Sequence, residues 1–167
     1  MNSREQERWK IQPIVTDEWM PLFLERLKGG QCIKLSPIGM SMYPCLVEAR
    51  DSVILQEPRA AIKRGDICLY RRENGLYVLH RVHHVNDSGV YMLGDHETWI
   101  EGPLRQSQIL AVAKSIIRKG QLYDCSNCRR YQIYWRLWLG LRVLRPYILE
   151  GWSTVHSKKF TRRKIRE

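Results

Sequence analysis

Residues 67–93, ICLYRRENGLYVLHRVHHVNDSGVYML, decide the fold. Three short runs within it, 67–70, 76–85 and 91–93, are rich in β-branched and aromatic residues. Asn74-Gly75 separates the first two and Asp87-Ser88-Gly89 lies between the last two. Both separators form tight turns, because glycine accepts positive φ and Asn or Asp side chains bond their own backbone. The pattern predicts consecutive antiparallel hairpins rather than parallel strands with helical crossovers.

Working outward, residues 32–35, 53–55 and 110–117 have the same strand character. Six short strands with no helical period between them predict a mainly β (α+β) domain built on an antiparallel sheet. Upstream, Thr16-Asp17 offers a helix N-cap, Met20, Phe23, Leu24 and Leu27 follow at helical spacing, and Gly29-Gly30 ends the segment. Downstream, residues 131–149 (YQIYWRLWLGLRVLRPYIL) predict an amphipathic helix with Tyr134, Leu137, Trp138, Leu141, Leu144 and Ile148 on one side. Arg145 falls within that apolar side, while Trp135, Leu139 and Val143 lie off it. The organisation expected is a polar arm over 1–15, one domain over 16–120, and an aromatic, arginine-rich helix with a basic tail over 121–167.

Charge is distributed unevenly. The 167 residues carry a formal +11, of which residues 129–167 hold +9 and the first 128 only +2. A basic segment of this kind suits an anionic membrane surface or a nucleic acid, or simply favours solubility. The opening MNSREQERWK precedes no apolar stretch, so it does not read as a secretory signal. No segment has the roughly 18–20 uncharged apolar residues of a spanning helix. Five irregularly spaced cysteines do not form a disulfide framework, so a cytoplasmic location with reduced thiols is expected.

The chemistry-bearing candidate is Gly39-Met40-Ser41-Met42-Tyr43-Pro44. Glycine before the serine and proline after it break regular structure, presenting a hydroxyl and freeing backbone N–H groups for an oxyanion. Alone, this segment reads as an ordinary turn serine. Its context adds Lys63-Arg64-Gly65-Asp66-Ile67, then Val78-Leu79-His80-Arg81-Val82, then Tyr91-Met92-Leu93-Gly94-Asp95. The order resembles the superfamily that joins type I signal peptidases with self-cleaving repressors: a serine box, a Gly-Asp turn, a base-bearing strand and a second Gly-Asp turn. The resemblance covers roughly residues 32–119.

Bacterial signal peptidases and the repressors have lysine at the base position. His80 stands there, so the chain resembles the histidine branch and its small, anchorless bacterial members. An imidazole with an ordinary pKa near ~6.5 accepts a proton at neutral pH without the burial that a lysine base requires. His83 and His84 compete on the same strand, and strict alternation would put His84 on the face of His80. For the acid that orients the imidazole, the resemblance offers Asp95 in the turn or Glu101 after it. Asp95 as a turn cap is an equal reading. Asp51 and Asp66 read as turn formers, and Arg50-Asp51 departs from the family's Gly-Asp. Cys125-Ser126-Asn127-Cys128 is a lone pair without the further ligands zinc needs, so no metal or cofactor is expected.

The resemblance implies a serine endopeptidase that cleaves a precursor or leader peptide, with Ser41 as nucleophile and His80 as base. Two other classes compete with it. One is a repressor-type switch that cuts its own chain, which lacks support in the single N-terminal helix. The other is a non-catalytic basic module binding lipid or nucleic acid. Nucleic acid is disfavoured because the tail has no recognised motif. An anionic membrane surface remains a candidate partner of the C-terminal segment.

Overall fold

The computed structural model describes residues 19–58, 60–145, 147 and 148. The chain forms an antiparallel sheet of eight strands: β1 (Ile33–Leu35), β2 (Ser52–Gln56), β3 (Ile67–Arg71), β4 (Tyr77–Asn86), β5 (Gly89–Leu93), β6 (Glu101–Leu104), β7 (Ile109–Arg118) and β8 (Gln121–Asp124). The spatial order is β1-β2-β7-β3-β4-β5-β6, with β8 also paired to β7. Helix α1 (Met20–Lys28) precedes the sheet and α2 (Arg129–Gly140) follows it. The mainly β, α+β expectation matches this architecture.

The hairpins fall where the turn residues put them. Asn74-Gly75 turns β3 into β4, and Asp87-Ser88 turns β4 into β5, pairing Asn86 with Gly89. Two strands escaped the sequence reading. Strand β6 (EGPL) contains a proline and β8 (QLYD) is polar, so neither carries an apolar run.

The sheet buries parts of both faces. Ile67, Leu69, Leu79 and Leu93 belong to the larger core with α1 and α2, whereas Cys68, Tyr70, Val82 and Met92 belong to a second cluster. Burial on both faces makes β3 read as an unbroken apolar run instead of an alternating one. Alternation also fails later in β4, where the pairing with β5 shifts register between Val82 and His84. The expected shared face of His80 and His84 therefore does not follow from counting by twos.

Helix α1 has Pro21 in its first turn, where the missing N–H is tolerated, and buries Met20, Phe23 and Leu27. The proposed Thr16-Asp17 cap and the arm over 1–15 lie outside the described residues. Helix α2 is shorter than expected. It stops at Gly140 and gives way to a 3-10 turn at Arg142–Leu144. Its buried residues are Tyr131, Trp135, Trp138 and Leu139. Of the apolar side expected from the sequence, Leu137, Leu141 and Leu144 are exposed, and Tyr131, Trp135 and Leu139 pack in their place. Trp135 settles the orientation, because its ring lies over Gly65. A Cβ on that glycine would clash with the indole, and Gly65 has φ +95°.

Candidate active site

Ser41 lies in the irregular segment between β1 and β2, held on several sides. The Gly39 N–H donates to Glu48 Oε2 at 3.1 Å, Arg118 Nη2 donates to the Pro44 carbonyl at 3.0 Å, and the His96 N–H donates to the Ser41 carbonyl at 2.9 Å. Asp51 steadies the end of the segment by accepting from the Val47 N–H and the Arg50 guanidinium. Among the described residues, no hydrogen bond uses Ser41 Oγ or the N–H groups of Ser41 and Met42. Ser41 borders an apolar cleft of about 270 Å³ walled by Leu35, Ile38, Leu69, Tyr77 and Leu79. A half-buried serine, two amide groups without a hydrogen-bond partner among the described residues and an apolar groove thus share one place.

His80 is 2% exposed on β4, opposite Cys68 on β3. Tyr70 is its diagonal neighbour on β3, and the Tyr70 hydroxyl lies 3.1 Å from His80 Nδ1. That hydroxyl donates to Glu101 Oε2 at 2.6 Å, and Arg72 grips the same carboxylate with two bonds of 2.6 Å. Tyr70 has one proton to give and gives it to Glu101. Its oxygen can therefore only accept from His80, which places the imidazole proton on Nδ1 and the lone pair on Nε2. Nε2 faces Glu97 Oε1 at 3.7 Å.

Burial of the imidazole holds its pKa down to about 4, against a smaller opposing pull from Glu101. The ring is neutral at pH 7, and protonates well below the ordinary value near ~6.5 assumed from the sequence. Desolvation alone would raise the Glu101 carboxyl, but its bonds to Arg72 and Tyr70 outweigh that and hold it below the ordinary range. Desolvation instead dominates at Glu97 and raises its pKa.

The two acids named from the sequence occupy different positions. Glu101 reaches His80 through Tyr70, not directly. Asp95 is fully buried, and both of its oxygens accept from Arg81 at 2.8–2.9 Å. Arg81 also donates to the Gly65 carbonyl and the Tyr131 hydroxyl, so the Arg81–Asp95 pair ties both Gly-Asp turns to α2. Asp66 caps its own turn by accepting from the Lys63 N–H. His83 and His84 bond each other at 2.8 Å, and His84 stacks on Tyr91. Cys125 and Cys128 lie in the turn before α2, and no cluster with a metal-ligand set occurs among the described residues.

Ser41 and His80 both meet the Gly94–Glu97 turn, Ser41 through its carbonyl, which accepts from the His96 N–H, and His80 through Glu97, and no hydrogen bond joins the two side chains. A Cβ at Gly94 would lie 2.8 Å from both the Ser41 carbonyl oxygen and Glu97 Cδ, so only glycine permits this approach. Sequence reasoning missed Tyr70, Arg72 and Glu97. The hairpin register around Asn74-Gly75 places Tyr70 diagonal to His80, and Glu97 stands between the two acids that were considered. No protein-family model matches the chain, and no curated protein or solved structure matches it either.

Proposed function

We propose that the protein is a serine endopeptidase that cleaves a precursor or leader peptide. The observation that carries this reading is the Tyr70 hydroxyl, which donates to Glu101 and lies 3.1 Å from His80 Nδ1, an arrangement that favours the proton on Nδ1 and leaves Nε2 to act as a base. In acyl transfer, Ser41 Oγ attacks the peptide carbonyl carbon while its proton passes to His80 Nε2. The Ser41 and Met42 N–H groups receive the oxyanion. Collapse of the intermediate breaks the C–N bond, and the imidazolium returns the proton to the leaving amine. Water then repeats the sequence on the acyl-Ser41 ester and frees the acid.

In this account Tyr70, Glu101 and Arg72 position the base, and the anionic Glu101 stabilises the transient imidazolium through Tyr70. The mechanism requires the Ser41 hydroxyl to come within hydrogen-bond reach of His80 Nε2 when peptide fills the cleft, as catalytic hydrogen bonds commonly form or tighten in the substrate complex. An apolar cleft beside the serine suits an uncharged side chain next to the cut. Incubation with candidate precursor peptides, followed by mass spectrometry, tests the reading. Cleavage at a defined bond by the wild type and none by Ser41→Ala supports it, and equal products from both overturn it.

A further inference from the structure

One face of α2 is left open by the packing of the other. The exposed residues along it include Arg129, Arg130, Ile133, Arg136, Leu137 and Leu141, with Ile133 58% and Leu137 63% exposed. The surface continues past the helix into Val143 and Tyr147, 72% and 74% exposed. No Asp or Glu occurs anywhere from residue 129 to 148. Large apolar side chains set among arginines, with no acid between them, fit a layer that is anionic at its surface and apolar beneath.

We propose that this face of α2 and the turn after it lies on an anionic lipid surface, with Ile133, Leu137 and Val143 entering the apolar layer and Arg129, Arg130 and Arg136 meeting the headgroups. The charge pattern selects this occupant. A second copy docked on the same face would set arginines against arginines, because a two-fold interface is made of one patch repeated. An anionic bilayer matches both the charge and the apolar side chains. No helix among the described residues is long and apolar enough to cross a membrane, so the contact is peripheral.

The surface is also wired to the proposed active site. Arg145 follows the exposed turn and is fully buried. It donates to the Trp138 carbonyl and to the Gly94 and Glu97 carbonyls at 2.9–3.0 Å. Arg142 Nη1 donates to the Thr98 carbonyl at 2.7 Å. The segment that would rest on lipid therefore anchors the turn carrying Glu97 beside His80. Lipid binding itself is independent of the peptidase reading, and its test uses no activity.

Co-sedimentation of the full chain with phosphatidylcholine vesicles, with and without phosphatidylglycerol, tests the proposal. Binding is expected only with the anionic lipid and should weaken as salt rises. Arg130→Gln and Arg136→Gln should each weaken it about fivefold. Ile133→Ser with Leu137→Ser should weaken it at least tenfold, although the basic stretch after residue 157 is untouched. All four side chains are exposed, so unchanged circular dichroism is expected for each variant. Binding by the Ile133→Ser/Leu137→Ser variant equal to wild type overturns the proposal, as does equal binding to neutral vesicles. A dimer that the same two substitutions dissociate, without lipid binding, would assign the face to a second copy instead.

Discussion

The Tyr70 hydroxyl stands between His80 and Glu101, 3.1 Å from the imidazole Nδ1 and 2.6 Å from the carboxylate. This three-residue line fixes which imidazole nitrogen is protonated, and it gives a first test. Tyr70→Phe removes the acceptor for Nδ1–H while keeping the ring that fills the second cluster. It is expected to lower kcat about 10–100-fold with little change in KM. Glu101→Gln should have an effect in the same direction and add little to Tyr70→Phe, because it acts through that hydroxyl. Peptide-cleavage kinetics over a pH series on both single variants and the double variant measure this. A purely structural role would lower thermal stability and leave kcat and its pH dependence unchanged.

The buried imidazole makes stability pH-dependent in a definite direction. His80 has a folded pKa of about 4, below the ordinary value near ~6.5 that holds in the unfolded chain. Between those values the unfolded state binds the proton and the folded state does not. Its contribution is thus fully present above pH ~6.5 and is lost as pH falls toward ~4, to a total of ~3 kcal/mol. Denaturant titrations across that window should show the loss, and His80→Gln should flatten it. The acid limb of any cleavage rate should lie below pH 6 for the same reason. A limb centred at the ordinary histidine value would mean that His80 is solvated in the working enzyme.

Asp95 and Glu101 should separate by kind of effect. Asp95→Asn leaves the fully buried Arg81 without its carboxylate, which is expected to destabilise the fold by about 3–5 kcal/mol. Glu101→Gln keeps a partly exposed acceptor beside Tyr70 and should change melting temperature far less. Thermal denaturation of the two variants decides it. A stable Asp95→Asn protein with lost activity would move Asp95 into the catalytic line.

Gly94 offers a steric test of the shared turn. An added Cβ would press on the Ser41 carbonyl and the Glu97 carboxyl together, so Gly94→Ala should lower cleavage at least tenfold. Gly140→Ala at the end of α2 is the comparison, because a Cβ there meets nothing within 4 Å and its φ is not in the left-handed region. Equal activity for the two variants would show that the turn does not position the serine.

Much of this architecture was legible in residues 67–93, because turn chemistry and apolar runs are local properties. Strand β6 and strand β8 were not, since their pairing comes from neighbours and not from their own apolar content. The face of α2 was misread for a related reason. A helical wheel ranks side chains by greasiness, but Trp135 was chosen for the core by the bare surface of Gly65, a contact seventy residues away in sequence. In the site, Ser41 and His80 stood out by motif and residue type. The Tyr70 link depends on the diagonal register of a hairpin, and Arg81–Asp95 depends on tertiary burial, so residue type alone could not assign either acid.

Covalent labelling distinguishes a Ser41 nucleophile activated by His80 from an ordinary turn serine. The full chain would be treated with a fluorophosphonate and the adduct located by peptide mass spectrometry. A single phosphonylated serine is expected at Ser41, formed at least a thousandfold more slowly in His80→Ala, since base and nucleophile act as a unit. No adduct at Ser41 in a folded protein that cleaves its peptide, or labelling indifferent to His80, would contradict it.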